Sequence, residues 1–148
     1  MKTRLISTTL AAIAGVGLVS SIAACSQPVA TVDVGACAQS SDLQGEITDI
    51  PTVDCTEAHD AQFVGKFDLD DGDFPGDDGI KSAAEEGCTS AFQEFVGIAF
   101  DQTTLPVTLN FIAPTQETWD SANDREVLCV IYTTDGSTVT ESWEGAAV

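Results

Sequence analysis

Apolar residues recur with different periods along this chain, and each period predicts a different element. Leu5 to Ala23 carries no charge and follows the basic start Met1-Lys2-Thr3-Arg4. Ala61 to Leu69 alternates, with Ala61, Phe63, Gly65, Phe67 and Leu69 on one side and Gln62, Lys66 and Asp68 on the other. That period of two predicts a half-buried strand. Ile80, Ala84, Gly87, Cys88, Ala91 and Phe95, flanked by Phe92 and Val96, recur at helical spacing. Asp77 or Asp78 is the expected N-cap and Gly97 the expected residue just past the end. Glu126 to Thr133 is apolar on both sides: Val127, Cys129 and Ile131 on one, Leu128, Val130 and Tyr132 on the other. A strand covered on both faces is a central strand.

Shorter segments complete the pattern. Val32 to Cys37 predicts a short strand, and Glu46 to Val53 an irregular or edge strand because Pro51 cannot donate to a ladder. Leu105 to Ala113 predicts a strand with Val107, Leu109 and Phe111 on one face. Pro114 to Trp119 predicts a turn into about one helical turn. Asp135-Gly136 is a hairpin signal, with Thr138 to Trp143 as the returning strand. The predicted order is β-β-β-α-β-β-β: an α+β domain, a mostly antiparallel sheet with one main helix packed on it.

The apolar start changes how the chain is divided. A basic n-region, an apolar h-region and small residues before a cysteine make a secretory signal. Ser7, Thr8, Thr9, Ser20 and Ser21 dilute the run, and Gly15 and Gly17 interrupt it, which argues against a retained membrane span. Ile22-Ala23-Ala24-Cys25 resembles the lipobox of bacterial lipoproteins. The expected organisation is a cleaved signal over residues 1–24, a lipidated Cys25 with a short tether over 25–31, and a folded domain over 32–148. The expected place is the outer face of the cytoplasmic membrane, with that membrane the first partner. Five cysteines are an odd number, and lipidation of Cys25 leaves Cys37, Cys55, Cys88 and Cys129. An oxidising compartment favours disulfides over metal or thiol chemistry, and none of the four lies in a CxxC pair, so no cofactor is expected. Of the three pairings, Cys88 with Cys129 suits a core-facing helix position and a central strand, leaving Cys37 with Cys55.

Charge narrows the partners. The chain has 24 acidic residues and a formal net charge of −19. Such a surface repels nucleic acid, which binds through Lys and Arg. The acidic turn Asp70 to Gly79 invites a calcium interpretation, but neither register places Gly and Glu where an EF-hand loop requires them. Its simpler role is a solvated loop before the helix.

The densest polar cluster is Val53-Asp54-Cys55-Thr56-Glu57-Ala58-His59-Asp60, with the only histidine. His59, Glu57 and Asp60 are the candidate ligand or partner contacts, and the simpler role of His59 is to brace the Cys55 corner by hydrogen bonds or to shift charge with pH. A hydrolase would need a nucleophile, and no Gly-x-Ser-x-Gly elbow is present; no catalytic residue is assigned. Arg125, one of few basic residues, is expected to pair with carboxylates beside the central strand.

These motifs also line up as a set. Val34-Gly35-Ala36-Cys37, Val53 to Asp60, Phe74-Pro75-Gly76, Ala83 to Cys88, Pro114 to Trp119 and Arg125 to Cys129 resemble the septum formation domain of actinobacterial envelope proteins. Ala36 stands where an acid or polar residue is usual, and Ala58 replaces a common proline. The resemblance implies an extracytoplasmic, non-enzymatic module with an envelope protein partner and a link to septation. The competing expectations are a lipoprotein that binds a cation or small ligand, and an envelope hydrolase using His59 or a carboxylate pair.

Overall fold

The computed structural model describes residues 29–45 and 47–148. The leader, Cys25 and the tether as far as Pro28 lie outside the described residues. Four strands, β1 (Cys37–Ala38), β2 (Ala61–Asp68), β3 (Val107–Ile112) and β4 (Glu126–Thr133), form one antiparallel sheet in the order β1-β2-β4-β3. The long helix α1 (Gly76–Val96) links β2 to β3, and the short helix α2 (Gln116–Ala122) links β3 to β4. Since β2 and β3 both run antiparallel to β4, they are parallel to each other with β4 inserted between them, a split β-α-β arrangement.

The predicted double coverage of β4 is present. Val127, Cys129 and Ile131 face α1 with Val64, Ala84, Cys88, Phe92 and Val96. Leu128 and Val130 face the opposite way, under Ala38, Leu43, Ile50, Ala61 and Phe63. The first apolar layer is roofed by the helix and the second by the N-terminal segment.

The alternation of β2 does not persist along the strand. Register shifts between Phe63 and Gly65 against β4, and such a bulge moves the following side chains to the other face. Ala61 and Phe63 therefore enter the N-terminal layer, whereas Phe67 and Leu69 enter the helical layer. Gln62, expected in solvent, is fully buried.

On α1 the buried positions are Ile80, Ala84, Cys88, Phe92 and Val96, one residue every four. Phe92 and Val96 are thus at the centre of the stripe and Ala91 and Phe95 at its half-buried margin. The N-cap is Pro75, with no side-chain cap. Asp77 and Asp78 fall inside the first turn instead, where the helix dipole favours acids. Gly97 ends the helix in the left-handed region (φ 91°), its N–H donating to Gln93 O. Helix and sheet touch most closely where a side chain is missing: a Cβ on Gly65 would collide with Ala91, and one on Gly87 with the Phe67 ring.

Both disulfides are formed as expected. Cys88–Cys129 ties α1 to β4 with Cα atoms 5.2 Å apart, and Cys37–Cys55 ties β1 to the following turn at 5.3 Å.

Three predicted strands are reduced. Val32 to Cys37 pairs only at Cys37–Ala38, because Gly35 turns the chain at φ 92°. Of the predicted strand over Glu46 to Val53, the described residues 47–53 make one bridge, Val53 to Cys37; Ile47 and Ile50 pack on the N-terminal layer without a ladder. Thr138 to Trp143 is not a hairpin partner of β4. Both edges of β4 are already occupied by β2 and β3, so the turn at Asp135-Gly136 sends the chain away to bridge Val139 with His59.

Candidate functional site

The polar cluster around Cys55 forms a corner between β1, β2 and the C-terminal segment. Asp54 Oδ1 accepts from Thr56 N (2.9 Å) and Thr56 Oγ1 (2.7 Å), a local turn of the kind Asp favours. These bonds hold the Asp54 carboxyl below the usual carboxylate value, the backbone bond foremost. His59 is wholly buried. Its N–H donates to Val139 O (3.0 Å), and Val139 N–H donates back to His59 O (2.8 Å). On the ring, Nδ1 lies 2.9 Å from Glu57 O. A carbonyl can only accept, so Nδ1 carries the proton. Nε2 is buried with no partner, and the ring stands edge-on to Trp143 with centroids 5.7 Å apart.

Gln62 is the second buried polar group of the corner. Its Nε2 donates to Gly35 O (2.9 Å) and to Ser142 Oγ (2.8 Å), and its Oε1 accepts from Trp143 N (2.8 Å). One amide thus fastens the C-terminal segment over the disulfide. A glutamine in an apolar strand is the sequence signal for this, but strict alternation assigns it to solvent.

The three candidate contact residues diverge. His59 points inward, Glu57 is exposed, and Asp60 is committed to Ser40, accepting from its N–H and its Oγ at 2.6 Å each. One ring nitrogen of His59 and the sulfurs of Cys37 and Cys55 lie within 4.8 Å of one another, the one group of potential metal donors among the described residues. The acidic turn brings no such group together.

That turn is instead pinned to α2. Trp119, nearly buried, donates from Nε1 to Gly72 O (3.0 Å) and meets Phe74 edge-on. The Arg125 guanidinium lies 3.6 Å over the Trp119 ring, a cation–π contact. Its Nη1 donates to Trp119 O (3.2 Å) and Asp124 O (2.8 Å). The expected carboxylate partner is Asp71, 3.5 Å from Nε but too poorly aligned for a hydrogen bond. Arg125 is therefore held mainly by the ring and by carbonyls.

A cavity of about 290 Å³ opens beside α2, on the sheet face opposite α1. Ile47, Ile112 and Leu128 give it an apolar floor with Val29 and Ala30 alongside, and Thr118 and Ser121 of α2, with its N-cap Thr115, form a polar wall. Glu117, Asp124 and Glu126 rim it. A shallower cleft next to it gathers Asp68, Asp70 and Asp71 near Arg125. Lys66 sits at the edge, donating to Val32 O (3.0 Å) and standing 4.0 Å from Glu126. Sequence patterns do not reveal this groove, because its lining comes from distant segments.

A disulfide-braced α+β domain with a buried polar corner and an acid-rimmed groove is the class of protein that these features define. The model of the family described as septum formation matches residues 34–147, and the chain belongs to that family. No curated protein and no solved structure matches it.

Proposed function

We propose that this protein is a lipid-anchored, non-enzymatic interaction module of the cell envelope, held on the outer face of the cytoplasmic membrane through Cys25 and acting near the division septum. Membership of the septum formation family supports the link to division and the envelope. Two disulfides suit an oxidising compartment. The observation that carries the interaction role is the groove beside α2, which has the apolar floor and few converging polar groups of a binding site. Val29 on its wall follows Cys25 by four residues, a reach of about 14 Å at most, so an anchor at Cys25 would hold the groove close to the membrane. The buried ring of His59 favours a binding role over a hydrolytic one.

The test is in-cell crosslinking with mass spectrometry on the wild type, on Cys25→Ala, and on Ser121→Arg, which places a long cation in the groove. Envelope proteins crosslinked to groove residues in the wild type, and lost in Ser121→Arg, are expected. Cys25→Ala should leave the membrane fraction. Crosslinks that ignore Ser121→Arg would refute the groove, and a membrane-bound Cys25→Ala would refute the anchor.

Cation binding at the cleft around Asp68 to Asp71 is the second reading, although its carboxylates stand beside Arg125 and form no group of metal donors. Calorimetry with calcium tests it; absence of heat, with an unchanged melting temperature, would remove it.

A further inference from the structure

The buried corner contains a histidine that hydrogen bonding leaves half used. Nδ1–H of His59 is committed to Glu57 O, and Nε2, wholly buried, has no partner. Leaving such a nitrogen unpaired costs about 1–3 kcal/mol. A histidine whose Nδ1–H is fixed by a carbonyl is set up to give its Nε2 lone pair to a metal. One ring nitrogen of His59 and the sulfurs of Cys37 and Cys55 lie within 4.8 Å of one another, and with Nδ1–H held by Glu57 O the nitrogen left to bind an ion is Nε2. We propose that Cys37, Cys55 and His59 form a redox-gated site for a thiophilic divalent ion of the zinc type, closed while the disulfide is intact and opened by its reduction.

The donor set fits such an ion. Zinc takes thiolate sulfur at about 2.3 Å and imidazole nitrogen at about 2.0–2.1 Å, which puts tetrahedral donors about 3.5–3.8 Å apart. Ligation requires the imidazole nitrogen to come to that spacing from within 4.8 Å, and the sulfurs to part once the disulfide is open. Gln62 Nε2 stands 3.8 Å from Cys55 Sγ and can donate to the thiolate by giving up its bond to Gly35 O or Ser142 Oγ, since the amide has only two N–H donors. Three protein ligands leave a fourth position for water or an incoming donor, as in exchangeable zinc sites.

The gate follows from exposure. Cys55 is partly exposed, whereas Cys37 is wholly buried. A dithiol reductant attacks Cys55 Sγ as a thiolate, forming a mixed disulfide and releasing Cys37 as a thiolate. The reductant's second thiolate attacks its own sulfur in that bond, releasing Cys55 and closing the reductant's disulfide. Two electrons pass from the dithiol to the Cys37–Cys55 pair. The ion then takes both thiolates, and any protons they held are released. Cys88 and Cys129, at 1% and 0% exposure, are shielded from the same attack.

The test uses cobalt(II) as a spectroscopic stand-in for zinc. The folded chain is reduced stepwise with a phosphine until peptide mapping shows the Cys37–Cys55 bridge open and Cys88–Cys129 intact. One cobalt per chain with a thiolate-to-cobalt charge-transfer band is expected in the reduced protein and none in the oxidised protein. His59→Gln should weaken the binding by about tenfold or more. Native mass spectrometry of protein made in a reducing cytosol supplies a measurement without a reduction step, and should find one zinc. Equal binding by the oxidised protein or by His59→Gln would overturn the proposal. So would a reduced protein that binds no cobalt, or one whose near-ultraviolet circular dichroism collapses and is not restored by the metal.

Discussion

Tyr132 is the only tyrosine of the chain and sits half-buried at the end of β4. Burial pushes its phenol above the ordinary value of 10.0, and the negative charge of Asp60 adds to the effect. The neutral form is therefore favoured in the folded state. Unfolded chains ionise first as pH rises past about 10, so this group's contribution is intact below that pH and lost as pH climbs through the folded value. Absorbance titration should show one tyrosinate transition above 10, moving back toward 10 in urea; equal midpoints in both states would contradict this. At this scale the sequence was informative where a residue is rare. Arg125 was singled out for its scarcity, and it does meet an acid, Asp71. Its main partner, the face of Trp119, was not legible, because cation–π contacts leave no spacing signal. His59 is legible as a hydrogen-bonded brace of the Cys55 corner, but its complete burial is not, since a cluster of Asp and Glu around it reads as surface.

Among elements, those with long, unambiguous periods were legible. The double apolar pattern of β4 and the helical stripe of α1 both appear in the structure, and so does the pairing of Cys88 with Cys129 that they imply. Short or interrupted elements were not. A bulge adds no mark to the sequence, so the pattern of β2 predicts one apolar face where the strand has two. The C-terminal segment departs from the hairpin that Asp135-Gly136 predicts, because a turn signal says nothing about whether the neighbouring edge is free. The close approach of β2 and α1 is the most sensitive contact between elements. Gly65→Ala puts a methyl against Ala91, and such overpacking typically costs about 1–3 kcal/mol. Urea unfolding should register a loss of this size, and an unchanged midpoint would mean that α1 sits farther from the sheet.

At the scale of the molecule, two apolar layers share one sheet, and each carries one disulfide at its margin or centre. The Cys88–Cys129 bridge joins residues 41 apart in sequence, and in the loop-entropy model its closure is worth about 4 kcal/mol. Replacing both cysteines by alanine should lower unfolding stability by about 3–4 kcal/mol, measured by urea titration. A loss below 1 kcal/mol would show that the layer is held by packing alone. The α+β class and the coverage of the sheet could be inferred from the chain, but the groove could not, since it exists only once Ile47, Ile112 and α2 are brought together.

The strand at the centre of the sheet is also the last to be synthesised. β2 pairs along its length with β4, Ala61 meeting Tyr132, and β3 pairs with β4 alone. Until β4 is available, β3 has no neighbour and β2 has only the two residues of β1. Contacts so distant in sequence slow folding, because the intervening loop must close before they form. Completion of the sheet is consequently a late step, in which one strand joins both halves and brings Cys129 to Cys88.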